Sequence, residues 1–361
     1  MKILHVAPIN VAGVPHAMVD MHRSQGIESR LVTLHSNVLT FPEDICLNIP
    51  LPRGSLASWW RAVKRSETAP VFPIREYHAQ AEPPQFHPRN IFESFYFKYA
   101  DARRRPVVER AIDKYALDGF DVIHYDGGLD FFRDARVARR WKALGKKMVC
   151  HYMGSDLRLR GVHPVMDRLS DLNLTNESDH LLVHPDIHYL YIPFDASRYR
   201  IRTRENEKIR VVHSPSNRTM KGTDLIIPVM ERLKKERNVE FLLIENTPHD
   251  EVLAIKETCD IAIEQVGNYG GTGYGRNSLE TLAMGIPTVT EMTPDYLDWL
   301  PENPFVLATP ETLFERITEL IDDPASRRQK AASGRAWVEK YHSYASVHAR
   351  LMELYAEHGI A

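Results

Sequence analysis

Two cations, Arg218 and Lys221, lie in the short segment SPSNRTMKG, which is too rich in Ser, Pro, Asn and Gly to form an ordinary helix. The guanidinium presents a planar fork of donors and the ammonium a compact charge, and both suit the oxygens of a phosphate. Gly222, the last residue of the segment, lets the chain turn into a following helix. The pattern predicts a phosphate-binding turn, with a solvated loop whose cations are incidental as the alternative.

A second segment, NYGGTGYGRNSLETLAMGIP, carries glycines ahead of a helix that we expect to begin near Asn277. Backbone N–H groups and the positive end of that helix can meet an anion such as a diphosphate. Glu280, one turn inside the helix, can accept two hydroxyl hydrogens, as a ribose would supply, or it is a first-turn acid that favours the helix dipole. The candidate binding residues here are Gly273, Tyr274, Gly275, Arg276, Asn277, Ser278 and Glu280. The loop does not match G-x-G-x-x-G, so no ordinary dinucleotide fingerprint is predicted.

Short apolar runs alternate with helical stretches along the chain, which is typical of parallel α/β folds. In the first half the predicted strands are KILHVAP, SRLVTLH, FDVIHYDGG, KKMVCHYMG and DHLLVHP. In the second half they are KIRVVHSP, VEFLLIEN, IAIEQV, IPTVTE and PFVLA. We predict two Rossmann-like domains joined near Pro193, with a long irregular insertion at about 36–106. Ligands bind at the carboxyl ends of strands in such folds, where both segments above fall.

The 361-residue chain is 43% hydrophobic and 26% charged, with a formal net charge of -2. These values are ordinary for a globular protein, and the lack of a cationic excess argues against nucleic-acid binding. Three well-separated cysteines indicate neither a disulfide framework nor a zinc cluster. We recognise no signal peptide and no apolar run of about 20 residues, so we expect a cytoplasmic protein that could still touch a membrane from outside.

The two segments resemble the nucleotide-sugar half of retaining glycosyltransferases of the GT-B fold, in the large family 4 group. The resemblance is carried by the strand, the Arg and the Lys before Gly-Thr-Asp, and by the Gly-rich loop leading into LETLAMGIPTV, over about 209–290. It implies two Rossmann-like domains facing across a cleft. It also implies that Arg218 and Lys221 grip the donor diphosphate and that Glu280 holds the ribose.

One position departs from the family pattern. The family has two glutamates separated by seven residues, and the position of the first glutamate is occupied here by Thr272. Because that glutamate helps to orient the donor sugar in the family, its replacement leaves the identity of the sugar open. The backbone amides around Tyr274, Gly275, Arg276 and Asn277 depend on the chain path, so they can still serve.

The resemblance assigns the acceptor site to the N-terminal half. Gly13 falls where the family has a glycine near the diphosphate, and a Cβ there would obstruct the approach; a plain turn glycine is the alternative. His151, just past a strand end, is similar to a family histidine that contacts the donor sugar, and we count it with Arg218 and Lys221 as a catalytic candidate.

Three further residues are acceptor-side candidates: Asp126, Ser155 and Asp156. Asp126 ends a predicted strand, and an Asx turn with the two following glycines is its alternative role. For Asp156 the alternative is an ion pair with Arg158 at a helix start.

The insertion places aromatic residues beside basic ones, in SLASWWRAVKR and FYFKYADARRR. This mixture suits an anionic membrane surface or a lipid-linked acceptor, and equally an amphipathic helix packed on its own domain. We predict domains at 1–193 and 194–340, and the resemblance implies that a last helix, within 341–361, returns to the N-terminal domain.

We therefore expect a glycosyltransferase of polysaccharide biosynthesis that moves a sugar from a UDP- or GDP-linked donor to a hydroxyl acceptor, with the retention that the family resemblance implies. No cofactor and no metal ion is expected for the chemistry, because cations and amides meet the leaving diphosphate. The alternatives are an epimerase of the same fold that acts on the nucleotide sugar, and a protein that binds a nucleotide sugar or a partner without turnover.

Overall fold

The computed structural model describes residues 1–37, 41–50, 82–88, 90–154, 156–203, 206–267 and 273–361. Within these ranges the chain divides into two compact units. The N-terminal unit holds the described residues up to Pro193 together with Val347–Ala361, and the C-terminal unit is Phe194–Ser346. Each unit contains one parallel sheet.

The sheet of the N-terminal unit has seven strands among the described residues, in the order β3-β2-β1-β4-β5-β6-β7. The strands are β1 (Lys2–Ala7), β2 (Glu28–Thr33), β3 (Ile45–Cys46), β4 (Val122–Asp126), β5 (Lys147–Tyr152), β6 (Leu172–Thr175) and β7 (Ile187–Tyr189). β1, β4 and β5 are almost continuously buried, as expected of parallel strands with both faces covered. β4 pairs with both β1 and β5, so the carboxyl ends of these three strands meet at one edge.

The helices of the N-terminal unit cover this sheet. They are α1 (Val14–Ser24), α2 (Ile91–Lys114), α3 (Arg136–Ala143), α4 (Pro164–Leu169) and α5 (His180–Val183), with a π-helix at Asp156–Arg160. The side chains of Trp141, Phe131 and Tyr125 are fully buried in the core between them.

The sheet of the C-terminal unit has the order β12-β11-β10-β8-β9. Its strands are β8 (Ile209–His213), β9 (Val239–Leu243), β10 (Ile261–Gln265), β11 (Thr288–Thr290) and β12 (Val306–Leu307). Its helices are α6 (Thr223–Glu236), α7 (His249–Lys256), α8 (Arg276–Ala283), α9 (Pro294–Trp299), α10 (Leu313–Asp322), α11 (Pro324–Tyr341) and the start of α12 (Tyr344–Glu357). Because β8 and β10 are neighbours, the turns that follow them lie side by side.

The α/β prediction is confirmed, with two corrections to particular elements. The segment DHLLVHP was predicted as a strand, but it contains the short helix α5, because His180 and Val183 bury one helical face between β6 and β7. The insertion at about 36–106 was predicted to be long and irregular, but β3 and the first part of α2 lie within it. The side chain of Asn90 accepts a hydrogen bond from the Glu93 backbone and caps α2, which explains where this helix begins.

The aromatic-basic segments of the insertion are only partly described. SLASWWRAVKR lies outside the described residues, whereas FYFKYADARRR is part of α2. Within the described ranges, no helix combines the length and the apolar character needed to cross a bilayer.

Candidate functional site

The turn between β8 and α6 carries the two predicted phosphate-binding cations. Gly222 caps α6 with a left-handed backbone, φ 64°. A Cβ atom at this glycine would lie 1.9 Å from the carbonyl oxygen of Val266, the residue that follows β10. The backbone N–H of Val266 donates to the carbonyl of Lys221 at 3.3 Å. The turn is therefore pressed against the end of β10, and only glycine fits this point of contact.

Lys221 reaches from this turn to the end of β10. Its ammonium forms an ion pair with Glu264 and donates to the side-chain oxygen of Gln265 at 3.0 Å. Glu264 is 2% exposed and also accepts hydrogen bonds from Asn277 Nδ2 at 2.7 Å and Ser278 Oγ at 2.8 Å. Burial alone would raise the pKa of Glu264, but Lys221 and the two side-chain donors outweigh burial and lower it below its usual value. Glu264 is thus a buried carboxylate that joins three predicted site residues.

Asn277 extends the same network towards Glu280. The side-chain oxygen of Asn277 accepts hydrogen bonds from Ser214 Oγ at 2.8 Å and from the Lys256 ammonium. Lys256 is 1% exposed, and its ammonium lies 2.6 Å from Glu280 Oε2. A continuous chain of polar contacts therefore runs from the β8 turn to the first turns of α8.

Glu280 is enclosed by cations. Its Oε1 accepts a hydrogen bond from His249 Nε2 at 2.7 Å and lies 3.5 Å from Arg276 Nε, while its Oε2 faces Lys256. Burial alone would raise the pKa of Glu280, but Lys256 and His249 outweigh burial and lower this pKa to about 2. The carboxylate is only 3% exposed and both of its oxygens already have protein partners. Its predicted ribose contact stays a prediction, and its observed role is to anchor α8 to α7.

Arg218 has a different environment from Lys221. Its guanidinium contacts Asp224 at 2.9 Å and Glu245 at 2.8 Å, and its side chain is 41% exposed. The side-chain hydrogen bond with Asp224 is the main reason that the pKa of Arg218 is raised. The contacts described for Arg218 and Lys221 include no shared carboxylate, so the two cations are held independently.

The Gly-rich loop is described from Gly273 onward, and Thr272 lies outside the described residues. A Cβ on Gly273 would meet the Tyr296 ring at 2.5 Å, so this glycine is required by packing. Tyr274 belongs to an aromatic cluster, because its ring lies 5.2 Å from Phe305 and its hydroxyl contacts His342 Nε2 at 3.1 Å. Gly275 is the N-cap of α8, and a Cβ there would meet no atom within 4 Å.

His213, at the end of β8, stabilises the turn between β8 and α6. Its Nε2 lies 2.9 Å from Thr223 Oγ1 at the start of α6, and its Nδ1 lies 2.8 Å from the Ile263 carbonyl. Burial lowers the pKa of His213 to about 4, so the ring is neutral at neutral pH.

The predicted residues of the N-terminal unit gather at the carboxyl edge of its own sheet. Gly13 is the N-cap of α1, in the connection between β1 and α1, with φ 70°. Asp126 ends β4 and its Oδ1 lies 3.5 Å from Nδ1 of His151 on β5. His151 is 0% exposed and Asp126 is 1% exposed. The structure therefore brings these residues to one edge but encloses the last two in the protein.

Asp156 is more accessible than Asp126, since its side chain is 23% exposed. It pairs with Arg160 at 3.3 Å and accepts a hydrogen bond from the Met153 backbone at 2.9 Å. The alternative pairing of Asp156 with Arg158 is wrong, because Arg158 instead binds the two acids Glu177 and Asp179. Ser155 lies outside the described residues.

Comparison with protein families gives a match in the C-terminal part of the chain. Residues 238–353 match the model of a family described as glycosyl transferase-like. The matched region covers about a third of the chain. The matched region contains Glu264, Asn277 and Glu280, whereas Arg218 and Lys221 precede it. No curated protein matches the chain in sequence.

Solved structures resemble the whole chain. HepE from Anabaena in complex with UDP and glucose matches with a TM-score of 0.60 and 14% identity, over 99% of this chain and 100% of that one. An alpha-glucosyltransferase in complex with UDP-glucose and DNA containing an abasic site matches with 0.59 and 12%, over 98% of both chains. TarM from S. aureus matches with 0.59 and 11%, over 98% of this chain and 100% of that one. At such low identity the similarity establishes the fold, and the predicted GT-B fold is confirmed.

Three residues of the matched region that complete the polar network were missed by the sequence reasoning: Glu264, Lys256 and His249. The available signal was a charged residue inside an otherwise apolar strand, IAIEQV, because a buried carboxylate requires a partner. Lys256 gave no comparable signal, since a lysine in a helix is usually solvated.

Proposed function

We propose that this protein is a glycosyltransferase that moves a sugar from a nucleoside diphosphate sugar to a hydroxyl acceptor, with retention at the anomeric carbon. The observation that carries the proposal is the polar network around Lys221, Glu264 and Asn277, at the carboxyl ends of β8 and β10. In open α/β sheets this edge is where ligands bind. The match of residues 238–353 to a glycosyl transferase-like family supports the same assignment.

The network suits a diphosphate because Lys221 has one more N–H donor than its described contacts use. An ammonium has three N–H donors, and the described contacts of Lys221 use two of them, on Glu264 and Gln265. The remaining donor can serve a phosphate oxygen while Glu264 fixes the position of the nitrogen. The first N–H groups of α8 begin at Arg276, one residue before Asn277, and they add the positive end of a helix.

In this proposal Arg218 exchanges its carboxylate partners for a phosphate when the donor binds. Its two acid partners are solvent-exposed or half-buried, and exposed ion pairs stabilise a fold very little. The guanidinium can therefore leave Asp224 and Glu245 for a phosphate without loss of the fold. A planar fork of donors binds phosphate in two-point geometry, which Lys221 cannot provide.

Catalysis in this proposal is electrostatic. Negative charge grows on the departing diphosphate as the glycosidic bond breaks, and fixed cations and N–H groups stabilise it more strongly in the transition state than in the bound donor. The departing phosphate takes the proton of the acceptor hydroxyl, so no side-chain nucleophile and no divalent ion is invoked.

We assign acceptor recognition to the N-terminal unit. Of its predicted residues, Asp156 is the described candidate that solvent reaches, whereas Asp126 and His151 are enclosed. In this proposal the enclosed pair positions the β4 and β5 ends, and Asp156 accepts a hydroxyl hydrogen from the acceptor.

The choice of donor is guided by the solved neighbours. The structures of HepE and of the alpha-glucosyltransferase contain UDP or UDP-glucose. We propose a UDP-linked sugar as the donor, with GDP-linked sugars as the comparison.

We also propose contact of α2 with a membrane or a lipid-linked acceptor. The outside of α2 exposes Phe92, Phe95 and Tyr99 next to basic residues, which supports this proposal.

A panel of nucleotide sugars tests the proposal. Purified protein is incubated with each UDP- or GDP-linked sugar, with and without glycan and lipid-linked acceptors, and the released nucleotide and all sugar products are quantified. We expect acceptor-dependent release of UDP and a product with the donor's anomeric configuration. Acceptor-independent conversion of one nucleotide sugar into its epimer would identify the epimerase alternative. Binding without any turnover of the panel would identify a protein that only binds the nucleotide sugar.

A further inference from the structure

Three histidines meet in the interior of the N-terminal unit. His5 lies on β1, His22 on α1 and His124 on β4, and all three are 0% exposed. One ring nitrogen from each can be chosen so that all three atoms lie within 4.8 Å of one another. The ring centroids of His5 and His124 are 4.4 Å apart, and those of His5 and His22 are 5.4 Å apart.

The ring nitrogens of this histidine cluster are not satisfied by the protein. Within the described residues, His5 Nε2, His124 Nδ1 and both nitrogens of His22 have no hydrogen-bond partner. A buried polar atom without a partner costs about 1–3 kcal/mol. Four such atoms on three adjacent rings indicate that something other than protein belongs among them.

The opposite nitrogens of two of these rings are held by the protein. His5 Nδ1 lies 3.0 Å from Asp126 Oδ2, and His124 Nε2 contacts the hydroxyl of Tyr355 on α12. Metal-binding histidines commonly have this arrangement, in which a carboxylate or another polar group orients the ring and leaves the other nitrogen free. The two contacts leave His5 Nε2 and His124 Nδ1 as the free nitrogens.

The charge of the cluster also suits a cation. Asp126 is a buried carboxylate whose described ion-pair partners are His5 and His151. A divalent ion beside His5 would compensate this negative charge.

We propose that His5, His22 and His124 bind a zinc-type divalent ion. Imidazole nitrogens suit Zn²⁺, and three protein ligands leave a fourth position for water. Zn–N bonds of about 2.1 Å place tetrahedral nitrogens about 3.4 Å apart, so donor atoms within 4.8 Å need an inward movement of roughly 1 Å.

The ion would have a structural role. It joins the first strand and helix of the chain to β4, and through Tyr355 it connects to the C-terminal helix α12. The proposal does not depend on the glycosyltransferase assignment, because Lys221, Glu264 and their partners lie in the C-terminal unit.

Titration with Co²⁺ tests the site without any assay of activity. Untagged full-length protein is stripped with EDTA, desalted at neutral pH and titrated with Co²⁺ while the visible absorption of tetrahedral cobalt is recorded. We expect a saturable signal at one ion per chain, loss of the signal on addition of Zn²⁺, and a higher thermal midpoint with Zn²⁺ than in its absence.

Variants assign the ligands. We expect His22→Leu to weaken cobalt binding more than about 100-fold, and Asp126→Asn and Tyr355→Phe to weaken it about 10- to 100-fold, because these two residues only orient ligands. His184→Gln is the matched control. His184 is buried in the same unit, and its two ring nitrogens are already engaged by Asp167 and the Asp186 backbone, so its replacement should leave cobalt affinity unchanged.

Absence of a saturable signal from the wild-type protein would overturn the proposal, whether or not any variant folds. Wild-type cobalt affinity in folded His22→Leu or in folded Tyr355→Phe would overturn the assignment of the ligands and of their supporting contacts.

Discussion

The two units bury polar groups at the carboxyl edges of their sheets in opposite ways. In the C-terminal unit the buried carboxylates of Glu264 and Glu280 are matched by lysine ammonium groups. In the N-terminal unit the buried carboxylate of Asp126 faces imidazoles, and no lysine or arginine is among its described partners. The buried carboxylates therefore differ in their partners, which are ammonium groups in the C-terminal unit and imidazoles in the N-terminal unit.

This difference indicates which ligands each edge can take. Permanent cations fixed by buried acids, together with the start of a helix, are suited to a ligand that carries negative charge of its own. Imidazoles with free nitrogens suit a metal ion or hydroxyl groups. The comparison supports the proposed donor site in the C-terminal unit, and removal of single charges can test it.

The largest effect on stability is expected at Glu280. Glu280→Gln leaves Lys256 buried without its carboxylate, and loss of one partner of a buried pair costs about 3–5 kcal/mol. Urea unfolding followed by circular dichroism measures the loss. The double variant Lys256→Met, Glu280→Gln is the control, and it should recover most of the loss because no unpaired charge remains. A loss below about 1 kcal/mol in the single variant would show that Glu280 does not anchor α8.

Lys221→Ala should have the next largest effect, about 3 kcal/mol, because Glu264 keeps its burial but loses its cation. Adding Glu264→Gln should restore stability without restoring donor binding, since the phosphate contact is still missing. Unfolding and nucleotide titration of the single and double variants separate the two roles. If the double variant binds the donor like wild type, Lys221 serves only to pair Glu264.

Acidification should show how much His213 contributes to the free energy of unfolding. Its pKa is 6.5 in the unfolded chain and about 4 in the folded protein, so the unfolded state takes up more protons between these values and stability falls as pH falls from about 6.5 to 4. From neutral pH to about pH 5 this histidine should remove about 2 kcal/mol of the free energy of unfolding. The His213→Asn variant should not show this part of the loss. Unfolding curves at neutral pH and at about pH 5 measure the free energy of unfolding of both proteins. If both proteins lost the same free energy of unfolding on acidification, the loss could not be assigned to His213.

Arg218→Ala is expected to have the smallest effect on stability, because both contacts of the guanidinium are accessible to solvent. Donor affinity should nevertheless fall about 10- to 150-fold, as for loss of a charge-assisted hydrogen bond. Arg218→Lys should rescue only part of this loss, because the planar fork is missing. Thermal unfolding and donor titration of the three proteins check the pattern. A large drop in thermal midpoint with unchanged donor affinity would reverse the roles assigned to Arg218 and Lys221.

The turn between β8 and α6 was readable in the sequence because its signals are local. Arg218, Lys221 and Gly222 lie within one short segment, and Gly222 has the left-handed backbone and close contact that explain a glycine. The parallel strands were readable for the same reason, as short apolar runs. Where two interpretations of a short run compete, the local signal fails, as it did for DHLLVHP, which becomes a helix because of the strands on either side.

The partners of the site were not readable, because they come from distant positions. Glu264 meets Lys221 only when β8 and β10 pair, and Lys256 reaches Glu280 from a separate helix. The histidine cluster is more extreme, since His5, His22 and His124 have no spacing typical of metal ligands and meet through the order of strands β1 and β4. For Asp156, the neighbouring Arg158 suggested a pair, but this arginine is taken by two acids further along the chain.

Calorimetric titration with UDP, with uridine as the reference that lacks phosphates, addresses the diphosphate site directly. Wild type should bind UDP saturably and uridine much more weakly, and the folded double variant Lys221→Ala, Glu264→Gln should lose at least about 10-fold in UDP affinity while its uridine affinity stays the same. Equal UDP affinity in the two proteins, or wild-type binding that does not distinguish UDP from uridine, would contradict a diphosphate site at the ends of β8 and β10.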